Sequence, residues 1–200
     1  FKGKDKDFDF QKAYNPYDFS GLRACEARVW SFFRTFDKNM DKYKKHIMGD
    51  ASEEPMPLYI IPDRKVSLAD VREGMRNHYE GTELSMTNDP GAGVYKVPYR
   101  WRPMTFKSEG REYFNERAIA TQQTGFVLIA QMRSWLPDVV GGILWFGVDD
   151  ANTAVLTPMY ASITEIPECY RRGNGSMTEF SWTSAFWIHN WVANMAYNRY

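Results

Sequence analysis

Three apolar runs rich in β-branched and aromatic residues follow one another between Ile119 and Tyr160, and no other feature limits the fold of this chain as strongly. They are Ile119 to Met132, Gly142 to Val148 and Thr153 to Tyr160. Residues of this kind fit a pleated, half-buried surface. Short turn segments, WLPD and VDDAN, separate them, so they are expected to be neighbouring strands of one sheet.

Elsewhere the apolar spacing is helical. Leu22, Cys25, Val29, Phe32, Phe33 and Phe36 recur on one face, with Ser20 as the expected cap and Arg23, Arg28 and Arg34 facing outward or towards a partner surface. Val71, Met75 and Tyr79 repeat the pattern behind Ser67 as cap, with Gly81 as the stop. Ser184, Trp187, Ile188, Trp191, Val192 and Met195 predict a last helix over Ser184 to Asn198, packed through Trp187, Trp191 and Met195 against the sheet. That helix meets no C-terminal cap before Tyr200, so the natural chain is expected to continue. The first 21 residues read as an irregular surface segment, Lys42 to Pro57 as a loop, and Leu58 to Ile61 as a short apolar run closed by Pro62. Between Thr82 and Lys107, extended pieces joined by tight turns are expected. This order of elements predicts an α+β domain with a mainly antiparallel sheet.

A chain of 200 residues that is 44% hydrophobic and 16% aromatic can bury one substantial core, so residues 1–200 are expected to form one domain or part of one. Its 25 basic and 25 acidic residues cancel without long single-sign runs, which argues against a nucleic-acid partner. Mean hydropathy is −0.54, and no stretch approaches the roughly 20 apolar residues of a membrane span, so a soluble chain is expected. No residue pattern assigns a compartment; export would need a signal segment upstream. Nor does any pattern assign an oligomeric state, and a homo-oligomer stays open.

Several motifs invite chemistry and lose it on inspection. Asp5, Asp7 and Asp9 resemble the start of a calcium loop, but Phe10 stands where the turn needs Gly and Pro16 where a Glu is needed. His46, His78 and His189 lack metal-ligand spacing, so no metal site is expected, and His189 reads as a packing residue. Gly91 and Gly93 in NDPGAG suit a tight turn and lack the third glycine of a dinucleotide loop. Asn174-Gly175-Ser176 is a sequon that matters only in a secretory context. Cys25 and Cys169 fit neither a disulfide scaffold nor a redox pair, and no Ser, Cys or Thr carries a local nucleophile signature.

The segment GGILWFGVDDANTAVLTPMYASITEIPECY, followed by FSWTSAFWIHNWVANMAYNRY and preceded by NDPGAG, PYRWRP, NERAIATQQTGF and MRSWLPD, resembles the cysteine-nucleophile dipeptidases of the Ntn-hydrolase superfamily, the peptidase D type. The resemblance runs over nearly the whole chain. It implies an α-β-β-α layered fold and hydrolysis of dipeptide amide bonds without a cofactor. The family nucleophile is a cysteine at the mature N-terminus whose own α-amino group is the base, so the resemblance makes this chain a C-terminal portion lacking that residue. A family arginine facing the nucleophile corresponds to Arg117; a structural ion pair explains Arg117 equally well. PYRWRP holds Arg100 and Trp101 between two prolines, where they would line a substrate cleft and bind a peptide carboxylate. Alternatively Arg100 and Arg102 pair with Asp149, Asp150 or Glu112 while Trp101 fills core. The partners implied are a small peptide substrate and the missing N-terminal segment of the same domain. Two rival readings remain, a non-catalytic aromatic-rich module binding a glycan or peptide, and a related linear-amide hydrolase.

Overall fold

The computed structural model describes residues 8, 13–14, 17–100 and 104–197. Asp5, Asp7, Asp9, Trp101 and Arg102 lie outside the described residues. The chain divides into two compact units, residues 1–66 with 100–118, and residues 67–99 with 119–200. The architecture is α+β, with antiparallel sheets in both units.

The first unit begins its helix at Phe19–Gly21, and the cap is Asp18, whose carboxylate accepts the Gly21 N–H at 2.6 Å; the expected cap, Ser20, instead sits 3.2 Å from the Thr105 hydroxyl. A π-helical turn, Leu22–Glu26, then leads into α1, Ala27–Arg34. This turn corrects the expected buried face. A π-turn carries more residues than the 3.6 of an α-helix, so the inward positions recur every four residues. Leu22, Arg23, Glu26, Ala27, Trp30 and Ser31 face inward, while Cys25 is half-buried and Val29 exposed. Arg23, expected on the outside, is buried and pairs with Glu116.

The expected loop from Lys42 is also corrected. A 3-10 turn, Lys38–Tyr43, and a short helix α2, Lys44–Ile47, bury Met40, Tyr43, His46 and Ile47, and the Met40 carbonyl accepts the Trp30 indole N–H at 2.8 Å. Gly49 closes α2 at φ +117°, and an added Cβ there would stand 2.6 Å from the Phe19 ring. Leu58 and Ile61 are exposed. A two-stranded hairpin, β1 (Thr105–Ser108) and β2 (Arg111–Phe114), completes the unit, with the rings of Phe106 and Tyr113 stacked at 5.4 Å.

The second unit is built on the three expected strands. β3 (Phe126–Met132), β4 (Gly142–Val148) and β5 (Thr157–Tyr160) pair antiparallel in the order β3-β4-β5, with Leu128 opposite Phe146 and Leu144 opposite Met159. The first and last are shorter than their apolar runs. The Thr124 N–H turns back to the Thr121 carbonyl at 2.9 Å, and the Thr153 and Ala154 N–H groups return to the Asp150 carbonyl at 3.1 and 2.8 Å, so strand geometry starts only after these turns. Between β3 and β4 lies one helical turn, α4 (Asp138–Gly141).

α3 (Leu68–Met75) opens with a capping box in which the Ser67 hydroxyl and Asp70 carboxylate each serve the other's backbone N–H. It ends at Met75, six residues before Gly81, and beyond it Tyr79 stands outside helical geometry at φ +64° and is completely buried. Leu68, Val71 and Met75 of α3 pack on Val127, Ile129, Ala151 and Ala154, covering one face of the sheet. The other face is also apolar but open: Phe126 is 61% and Leu128 49% exposed.

The last helix, α5, spans Ala185–Tyr197. Of the residues expected to pack on the sheet, Trp187 is half-buried and shares a hollow with Phe146 and Val148 of β4, whereas for Trp191 and Met195 the expectation is corrected. Trp191 is 49% and Met195 47% exposed; Trp187 donates to the Ser176 carbonyl at 3.0 Å, and Trp191 meets Trp182 edge-on at 5.5 Å. Aromatic side chains satisfy one another here in a cluster with Phe180 and Phe186, so helical spacing marked an apolar face without naming what it touches.

Candidate functional site

A left-handed backbone, two buried carboxyls and a groove come together at the turn after β4, within the second unit. Strand β4 is apolar to its end, with Gly147 bare because an added Cβ would meet the Val155 carbonyl oxygen at 2.8 Å. The chain then turns through Asp149 at φ +72°, a left-handed conformation that an Asp tolerates better than most residues. The Asp149 N–H donates to the Gly125 carbonyl at 3.0 Å, and its Oδ1 accepts the Asp150 N–H at 2.9 Å. Asp150 is fully buried and its Oδ1 accepts the Asn152 N–H at 3.0 Å.

Asp149 is 5% exposed, and its Oδ2 has no hydrogen-bond partner. Burial pushes its carboxyl above the ordinary value of 3.8; the Asp150 N–H opposes this, the Asp150 charge adds to it and the His189 charge pulls it down. Loss of solvation therefore dominates over the nearby charges. A buried acid shifted in this way, in a strained backbone conformation, is a common signature of a functional site.

Beside this turn lies a groove of roughly 530 Å³, within the range of small-molecule sites. One wall comes from α5, where Ile188, His189, Val192, Ala193 and Ala196 share a face at i, i+4 and i+7 spacing. Asn152 and Thr153 come from the aspartate turn, and Tyr99 lies across from them, its hydroxyl accepting the Asn152 amide N–H at 3.2 Å. Behind Tyr99 the buried His78 ring stands edge-on at 5.7 Å, with Nδ1 3.2 Å from Glu80 Oε1. Burial raises the Glu80 carboxyl, yet hydrogen bonds from the His78 ring and backbone N–H outweigh it and hold that carboxyl below its usual range. The groove thus offers an aliphatic surface and a short polar edge, suited to binding and orienting a ligand.

A second polar cluster is buried in the first unit. Arg23 pairs with Glu116 and stands 5.9 Å from the Phe19 ring, while His46 Nε2 lies 3.7 Å from Glu26 Oε2 and its ring meets Tyr17 edge-on at 5.2 Å. Its ion pairs and ring contacts lie inside that unit and read as its internal wiring.

Arg100 and Arg117, the arginines singled out from sequence, belong to the first unit. Arg117 is exposed in the extended segment that follows β2, and Arg100 is half-buried at the opposite end of the same 100–118 segment. Trp101 lies outside the described residues. Asp149, Asn152, Tyr99 and His189 were passed over as site residues. The available signal was two consecutive carboxylates and an Asn directly after an apolar strand, a pattern that suits an Asx turn. Asn174, the sequon residue, is used structurally: its Oδ1 accepts the Ser181 and Thr183 hydroxyls at 2.6 and 3.1 Å.

Comparison with known proteins adds what geometry leaves open. The model of peptidase family C69 matches residues 1–200. "Probable dipeptidase B" of Lactococcus lactis subsp. lactis (strain IL1403) is 26% identical over 97% of the chain and 36% of its own length. "Probable dipeptidase" of Salmonella dublin is 26% identical over 77% of the chain and 30% of its own length, and "Dipeptidase A" of Lactobacillus helveticus 21% over 86% and 31%. The chain therefore spans about a third of the length of the curated relatives it matches. With the whole of its sequence covered by that family model, the chain belongs to peptidase family C69, a family of cysteine dipeptidases.

Proposed function

We propose that this chain is part of the catalytic domain of a cysteine-type dipeptidase of the Ntn-hydrolase kind, whose nucleophile is an N-terminal cysteine encoded upstream of Phe1. The observation that carries the layered fold is the β3-β4-β5 sheet: both faces are apolar, α3 covers one, and a second sheet would cover the other. Support for an external nucleophile comes from the cysteines at hand. The Cys25 sulfur has the Arg28 guanidinium at 3.9 Å, a group that takes no proton at working pH, and Cys169 is half-buried in a 3-10 turn.

In the whole enzyme the N-terminal thiol gives its proton to its own α-amine and attacks the dipeptide carbonyl; the C-terminal amino acid leaves, and water releases the acyl group. Arg117 holds charge near the reaction centre, and Arg100 with Trp101 binds the peptide. The reaction needs no cofactor, and the chain's partners are a small peptide and the remainder of its own domain.

The test compares residues 1–200 with a chain extended to the mature cysteine, measuring amino acid release from dipeptides. Turnover is expected only in the longer chain, and Arg117→Ala there should lower it by about 10² to 10³, the worth of one preorganised electrostatic donor. Hydrolysis by residues 1–200 alone would overturn the placement of the nucleophile, and an Arg117→Ala rate close to wild type would make that residue structural. A glycan-binding role draws on the exposed aromatic cluster but ranks lower. Trp182 meets Phe180 at 85° and Trp191 at 75°, so these rings share no plane on which a sugar would stack.

A further inference from the structure

We propose that the groove between Tyr99, the aspartate turn and α5 is the subsite that selects a bulky, uncharged side chain of the dipeptide, an inference that rests on the dipeptidase reading above. Three observations meet there. The groove is built partly from the strained turn itself, since Asn152 and Thr153 follow directly on Asp149 and Asp150. A ligand in it would therefore touch a turn whose backbone is held in a left-handed conformation at Asp149, beside two buried carboxyls. Strain of that kind persists where the surroundings over-determine it, which fits a rigid recognition surface.

The lining sets the chemistry. Pro98, Val155, Ile188 and Val192 give aliphatic walls, and among the lining residues only His189 can carry a charge. A Lys or Arg side chain entering the groove would lose solvation without an opposite charge among the described lining residues, and an Asp or Glu would find only the His189 imidazole, whereas Leu, Met or Phe would gain by leaving water. The short polar edge of Tyr99, Asn152 and His189 suits the peptide backbone of the same ligand, because it supplies hydroxyl, amide and imidazole groups that hydrogen-bond a neutral amide.

Depth comes from α5. Ala193 and Ala196 stand where larger residues would fill the groove, so their small side chains set the largest group that fits. Ala193 is one helical turn from His189, which places the small residue beside the polar edge and makes it the position that most directly meters side-chain size.

The experiment uses the full-length enzyme and two dipeptide series, X-Ala and Ala-X, with X as Gly, Ala, Leu, Phe, Asp or Lys, and compares kcat/KM. In one series the wild type should favour Leu and Phe over Asp and Lys. Ala193→Phe should then cut kcat/KM for Leu and Phe by about 10- to 200-fold, the range that mismatched apolar groups produce in a pocket, and leave Gly and Ala within a few-fold. Ala193→Val gives the same pattern at smaller size, and serves as the deciding variant where thermal melting shows that the Phe variant is unfolded. Equal effects on every X, no effect, or equal use of charged and apolar X would overturn the subsite while the dipeptidase reading stands. A wild-type enzyme that releases amino acids from none of these dipeptides would overturn the reading, and the subsite with it.

Discussion

Replacing Asp149 by Asn should make the protein more stable at neutral pH and leave its stability at low pH nearly unchanged. The side chain keeps its shape, its Oδ1 still accepts the Asp150 N–H, and Asn tolerates the φ of +72° at least as well as Asp. What disappears is a carboxylate that is 5% exposed and has one oxygen without a partner. A buried polar group left unsatisfied costs about 1–3 kcal/mol, and the new amide, itself short of an acceptor there, gives part of that back. A net gain of ~1 kcal/mol follows, or roughly 2–4 °C in Tm for a chain of this size. The sign of the pH dependence follows from the direction of the shift. The folded carboxyl titrates above the ordinary 3.8, so the folded state holds a proton that the unfolded state has already lost. Wild-type stability from this group is fully present below the unfolded value and is lost as pH rises through the folded value. The gap between Asn variant and wild type should therefore open between about pH 4 and neutrality. Melting both proteins at pH 3.5 and pH 7 measures it. A variant less stable at pH 7, or a gap independent of pH, would refute the reasoning.

Further substitutions test the packing inside each unit. Ser67→Ala removes half of the capping box of α3 and should cost about 1 kcal/mol, read as a lower urea midpoint with an unchanged slope. Gly147→Ala places a Cβ 2.8 Å from the Val155 carbonyl and should cost ~1–3 kcal/mol, as overpacking does; a neutral result would mean that the 151–156 segment shifts freely. Glu116→Gln leaves the buried Arg23 guanidinium without its carboxylate and should cost ~3–5 kcal/mol, whereas replacing both partners together, Arg23→Met with Glu116→Leu, should recover most of that loss in urea unfolding.

The strands and α3 were legible because local and tertiary demands agree there. β-branched runs bounded by turn residues met a sheet, and Ser67 with Asp70 met a helix start. The first helix was legible as a helix but not as a face. Its π-turn changes the period from 3.6 to nearly 4, and nothing in LRACE marks that in advance, since the turn is fixed by the burial of Arg23 and Glu26 against distant partners. Met40, Tyr43 and Ile47 did carry a helical spacing within a polar context, and the surrounding lysines hid it. The candidate site was least legible. Tyr99, Asn152 and His189 are far apart in sequence, and only the fold brings them to one groove.

The aspartate turn also explains why an apolar strand is followed by two acids at all. A buried carboxyl with one oxygen unsatisfied, in a left-handed conformation, would relax if its neighbours allowed, by rotating the peptide or opening towards water. Neither route is free here. On one side the Gly125 carbonyl holds the Asp149 N–H, and on the other the Asp150 carbonyl holds both Thr153 and Ala154, so the backbone is fixed at each end of the turn. Val155, just beyond, presses its carbonyl against the bare Cα of Gly147. Gly147, Asp149 and Asp150 are linked by this geometry: the bare glycine lets the 151–156 segment lie close over β4, directly after the two buried carboxyls. A side chain at Gly147 would displace the Val155 carbonyl, and the expected result is a looser turn with more solvent at Asp149 and its carboxyl closer to its ordinary value, so the room left at one residue bears on the electrostatic character of another two positions away.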